Sequence, residues 1–154
     1  MNDMAGPPAE TPPLRLAALD AEDLAIVSAH LQDATVRVGD MAFLPPSRRF
    51  ALVAARFDWL GAGRGPCERC STGLHFERVS SVKRIGFDQR AGTVLNLLAI
   101  VFLPGDAPSG IVMLSFSGGA ALRLEVECLE AAMSDLGPRW TVDGKPCPPD
   151  AAGG

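Results

Sequence analysis

Cys67, Glu68, Arg69 and Cys70 place two thiols three residues apart, a spacing that serves either half of a metal site or a redox pair. Zinc takes four ligands, most often two such pairs or one pair with histidines. His75 follows closely, so Cys67, Cys70 and His75 form a candidate metal set that still needs a fourth ligand. Cys128 and Cys147 are distant in sequence. A thioredoxin-like pair opens a helix after a strand. Here the pair lies in the loop sequence GAGRGPCERCSTG, residues 61–73, ahead of a strand, which disfavours redox catalysis.

That loop has a second possible chemistry. Gly61, Gly63 and Gly65, with Arg64 and Arg69, could cradle a phosphate or carboxylate through backbone amides and guanidinium groups. The glycine spacing is neither a Walker nor a dinucleotide fingerprint, both of which need a strand-to-helix setting. Nucleophilic catalysis needs a nucleophile, a base and an orienting group. The chain has two histidines, His30 and His75, and no tyrosine. Glu125, Glu127 and Glu130 approach one another in sequence, yet acids on an edge strand also serve solubility. No catalytic set emerges.

Charge is unevenly distributed. The net charge is −4, but residues 48–90 carry nine of the fourteen Lys and Arg against Asp58, Glu68, Glu77 and Asp88. A positive middle in an acidic chain suggests an anionic partner, or else a solvated strand surface. The candidate ligand-binding residues are Arg48, Arg49, Arg64, Arg69, Lys83 and Arg84. The phenylalanines fall at apolar strand positions rather than as an exposed stacking platform, so no nucleic-acid signature is present.

The elements that must position these residues follow from periodicity. Asp20 is an N-cap with Asp23 three residues on, and Leu24, Val27 and Leu31 line one face of a helix over Asp20–Gln32. From Thr35 the period becomes two. Strands are expected at 35–43 with a kink at Gly39-Asp40, at 48–59, at 74–87 with an irregularity or as a broken pair that supplies a seventh strand, and at 94–103, apolar on both faces. Leu14-Arg15-Leu16 is a short strand or a packed arm. Ile111–Phe116 and Ala120–Val126 form a hairpin through Ser117-Gly118-Gly119. Leu129, Met133 and Leu136, followed by Gly137-Pro138, predict a closing helix over Glu127–Leu136. The expected fold is α+β. It is a bent antiparallel sheet or barrel of six to seven strands, similar to pleckstrin-homology-like barrels. A C-terminal helix caps it and an extra helix precedes it.

The length suits one domain. Residues 1–13 and 143–154 are rich in Pro, Gly and Ala and are expected to be a disordered arm and tail, leaving a single domain over 14–142. No secretory or membrane-spanning pattern is visible, so a soluble, cytoplasmic protein with free thiols is expected.

The stretches Leu19–Leu24, Ser28–Ala34, Arg48-Arg49-Phe50, Arg56-Phe57-Asp58-Trp59, Thr72–Phe76, and Glu127-Cys128 through Asp135–Trp140, resemble an uncharacterised bacterial family. This is the domain of unknown function twenty-nine forty-eight. The resemblance spans most of residues 14–140 and implies no activity and no catalytic residues.

The function expected from the residues is a non-enzymatic binding module. It recognises a small anion or an acidic protein segment, with no cofactor. The alternative is a split barrel holding a flavin or nucleotide phosphate in the Gly/Arg loop. A homodimer through an edge strand at 111–126 is a further possibility.

Overall fold

Alternation of buried and exposed residues runs through most of the chain, and strands follow it. The computed structural model describes residues 13–58 and 68–141. Nine strands and one α-helix appear there: β1 (Arg15–Ala18), α1 (Ala21–His30), β2 (Thr35–Leu44), β3 (Arg49–Phe57), β4 (Glu68–Phe76), β5 (Val79–Ile85), β6 (Val94–Pro104), β7 (Gly110–Phe116), β8 (Ala121–Val126) and β9 (Ala131–Thr141). All pairings are antiparallel, in the order β1-β9-β4-β3-β2-β6-β7-β8-β5.

Two corners fold this sheet over its own core. β4 runs into β5 through only Glu77 and Arg78, although the two strands lie far apart in the order. β8 runs into β9 through residues 127–130 in the same region. Glu77 N donates to Glu130 O at 2.9 Å, and Glu127 N to Arg78 O at 3.0 Å, so the corners brace each other. Val79 N donates to Arg48 O at 2.8 Å, bringing the start of β5 beside the start of β3. The inward residues of both halves, among them Phe50, Phe76, Leu114 and Leu124, form one core.

The expected first helix is present. Asp20 caps it by accepting from Asp23 N at 2.8 Å, and Leu24 and Val27 are buried. Its Ser28 Oγ accepts from Ile100 N at 2.9 Å, tying the helix to β6. The expected kink in β2 is present as well. The register with β3 shifts between Val36 and Met41, and Gly39 N reaches Ala91 O at 2.9 Å. A Cβ at Gly39 would lie 2.9 Å from Ala91, so the close approach requires glycine there. The hairpin turn holds Gly118 and Gly119 at φ 76° and 83°, the left-handed values expected of that pair.

The expected fold class is overturned. The protein is mostly β, with nine strands rather than six or seven, and it is not a pleckstrin-homology-like α+β barrel. The capping helix expected over 127–136 does not form: residues 131–141 are β9, paired along β4. Helical spacing of Leu129, Met133 and Leu136 competes there with an alternation that buries Ala131 and Met133 against Phe76 and Leu74. Tertiary pairing wins, as it routinely does over local propensity. Leu136, Gly137 and Pro138 stand across from Ser71 alone, in a bulge that tolerates the proline. Of the two forms expected for 74–87, one irregular strand or a broken pair, the pair is the one that forms, on either side of a corner, and residues 68–73, expected as loop, belong to β4. Among the described residues, no helix is long and apolar enough to cross a membrane.

Candidate functional site

The basic residues fall into two classes, those already engaged by the fold and those left uncommitted. Arg48 pairs with Glu127 at 2.5 Å and Arg78 with Glu130 at 3.3 Å. Arg49 Nε and His75 Nδ1 both meet Glu77 Oε2, at 2.7 and 2.6 Å. These groups surround the corner between β4 and β5, where Ser47, Arg48, Glu77, Arg78 and Glu130 line a cleft of about 250 Å³. Arg48 and Arg78 have φ of 56° and 57°, left-handed values that cost a non-glycine residue about 1 kcal/mol. Their carbonyls accept from Val79 N and Glu127 N, which holds that geometry. Opposite charges balance here, so the corner is built as an ion-pair brace.

Arg69 is also engaged. Its guanidinium lies 3.9 Å from the centre of the Phe57 ring and donates to Ala55 O at 2.8 Å and Thr35 Oγ1 at 3.3 Å. This explains why Phe57 breaks the inward parity of β3: it is buried under Arg69 on the outer face.

A polar layer closes one end of the core. Arg56, 1% exposed, donates through Nε and a terminal nitrogen to Asp135 at 2.9 and 2.8 Å. Asp135 also accepts from Thr72 Oγ1 and Leu14 N, both at 2.9 Å. Burial pushes this carboxyl up. The bonds from Arg56, Leu14 and Thr72, together with the Arg56 charge, outweigh burial and hold it well below the usual carboxylate range. Arg139 Nε donates to Asp58 Oδ2 at 2.8 Å, while Asp58 Oδ1 is buried without a partner among the described residues. The thiol of Cys70 is pushed up by burial and by Asp135, so it is a poor nucleophile.

The uncommitted cations lie elsewhere. The side chains of Arg15, Arg37, Lys83, Arg84 and Arg123 make no ion pair or hydrogen bond among the described residues. Three of them gather on β5 and β8. Lys83 stands directly opposite Arg123 in the register, on the outer face, and Arg84 follows on the other parity. β5 is a terminal strand of the sheet, and Lys83, Arg84 and Ile85 are exposed. Like charges directly opposite each other across a ladder are destabilising. Beside this row, Met113 pairs with Arg123 and Val101 with Met113, which continues the outer face as an apolar strip.

Among the expected site residues, the structure leaves Lys83 and Arg84 exposed on opposite faces of β5, places Arg48 and Arg49 in the ion-paired corner, and sets Arg69 over Phe57. Arg64 and the glycines at 61, 63 and 65 lie outside the described residues, as do Cys67, Cys147, the N-terminal residues 1–12 and the tail 142–154. Cys70 and His75 point to opposite faces of β4, Cys70 inward and His75 outward toward Glu77, so they cannot ligate one ion. No metal-binding group of three His, Cys, Asp or Glu occurs among the described residues. The 111–126 hairpin is not an edge: β7 and β8 are interior strands. Arg123 escaped the sequence reading because it is forty residues from Lys83 and meets it only through the β5–β8 pairing.

No curated protein and no solved structure matches this chain. The model of one family, described as "Protein of unknown function (DUF2948)", matches residues 14–147. The match covers most of the chain and all of its paired strands, and the chain belongs to that family.

Proposed function

We propose that this protein is a non-enzymatic binding module that recognises an acidic protein segment through Lys83, Arg84 and Arg123. One observation carries the reading. The fold neutralises the arginines at its corner and in its core, and leaves the like-charged pair of Lys83 on terminal strand β5 and Arg123 on neighbouring β8 without an ion-pair partner among the described residues. An anionic partner relieves that repulsion and gains attraction that stays partly desolvated beside the apolar strip.

The test is binding of the full chain to poly-glutamate at low and high salt. Affinity falls with salt, and falls by about tenfold or more in the Lys83→Glu, Arg84→Glu, Arg123→Glu triple variant. The Arg48→Gln, Arg49→Gln variant, altered at cations already paired, retains affinity. Equal loss in both variants, or no binding by the wild type, overturns the proposal. So does tighter binding to poly-uridine than to poly-glutamate.

A further inference from the structure

β5 offers more than charge. Its partner β8 occupies one side only, and beyond Val79, which is tied to Arg48, no described strand pairs with the other side. Alternate residues of an edge strand direct their N–H and C=O groups outward, where they template another strand. The side chains there follow the order Val82-Lys83-Arg84-Ile85. Lys83 and Arg84 are consecutive, so they stand on opposite faces of the sheet. A single anion on one face satisfies only one of them. An added strand with two consecutive acidic residues meets both, one from each face, and its flanking residues fall beside Val82 and Ile85.

We infer that the partner docks as an extended strand along β5, with an apolar-acidic-acidic-apolar core. This rests on the proposed acidic-segment function and adds its geometry. Main-chain hydrogen bonds supply affinity in such strand addition, and the alternate side chains supply selectivity. A second copy of this chain is disfavoured at the same edge, because β5 against β5 brings Lys83 and Arg84 together with their own duplicates.

The experiment uses the full chain and a fluorescent peptide with a valine-glutamate-glutamate-valine core between threonine flanks. Two further peptides carry N-methyl groups on one or the other alternating set of amides. Strand addition predicts a period-two response. One N-methyl set loses affinity by about tenfold or more, and the other, facing solvent, stays near the parent. A scrambled peptide of the same composition binds more weakly. The Lys83→Glu, Arg84→Glu variant loses the parent peptide while its circular dichroism spectrum and melting temperature stay near wild type. Equal binding by both N-methylated peptides overturns strand addition and leaves the acidic-segment reading intact, as does binding of poly-glutamate without the parent peptide. Failure of both poly-glutamate and peptide overturns that reading itself. A dimer in light scattering that peptide does not dissociate assigns the edge to a second copy and overturns the inference.

Discussion

Arg56 on β3 and Asp135 on β9 are joined by two parallel hydrogen bonds that pass over Thr72 of the intervening strand β4. Both side chains are at most 2% exposed, and the pair bridges 79 positions of sequence. It locks three strands together at the end of the core where alternation places Ala54, Thr72 and Asp135 in one inward row. Leu14, next to β1, is drawn to the same carboxylate, and its carbonyl in turn accepts from Asp135 N at 2.9 Å.

Removing one member of this pair strands the other in the interior. Asp135→Ala is expected to destabilise the protein by about 3–5 kcal/mol, and Arg56→Ala by a similar amount. The double variant Arg56→Met, Asp135→Leu is expected to lose much less than the sum, because no unpaired charge remains. Urea unfolding of the four proteins measures this. Additive losses would show that the two groups act independently.

Acid is expected to weaken the fold in two stages. Burial, and then the Arg56 charge, hold the His30 imidazole below its ordinary 6.5, although Asp135 and Asp58 pull the other way. The unfolded chain therefore takes up that proton first as pH falls below 6.5, and stability declines from there toward the folded value. The Asp135 carboxyl is also depressed, so its contribution is complete above the unfolded carboxylate range, about pH 4, and is lost on further acidification. Both slopes have the same sign. Urea midpoints from pH 8 to pH 3 report them. His30→Gln should flatten the upper stage and Asp135→Asn the lower, and a midpoint that rises from pH 7 to pH 5 contradicts the His30 account.

Lys83 and Arg123 should separate stability from binding. Arg123→Glu replaces a like-charged cross-strand pair with an opposite one, and is expected to raise stability by about 0.2–1 kcal/mol. The same change should weaken poly-glutamate binding. Thermal melts and a binding isotherm on one preparation test both. A variant that melts lower than wild type would show that the pair is not repulsive.

Two glycines should respond oppositely to alanine. A Cβ at Gly110 would lie 2.6 Å from both Leu103 O and the Phe102 ring, in a β6–β7 contact with no room to yield. Gly110→Ala is expected to cost about 1–3 kcal/mol. Gly92 has open space around it and an ordinary φ, so Gly92→Ala should be neutral or stabilise by up to about 1 kcal/mol. Denaturation midpoints of the two variants decide this.

Local patterns are legible wherever short-range forces set the outcome. The Asp20 cap and the Gly118-Gly119 turn can be read from a few neighbouring residues, because each is set by contacts or backbone preferences within a few positions; the α1 stripe and the Gly39 kink show as local patterns, although their packing partners, the core and Ala91, are distant in sequence. The segment 127–136 departs from its expected helix for the converse reason. Its helical spacing is real, but β4 offers a ladder and β3 a buried arginine, Arg56, and neither is visible in the local sequence. The sorting of the basic residues is of the same kind. From composition, Arg48, Arg49, Lys83 and Arg84 are equivalent charges in a positive middle. Only the corner that brings Glu127 to Arg48 and Glu77 to Arg49, and the β5–β8 pairing that sets Lys83 against Arg123, distinguishes paired cations from free ones. Sequence by itself determined alternation, turns and the family. The tertiary structure alone decided which charges are spent, because ion pairing falls steeply with distance and those distances are set by long-range strand pairing.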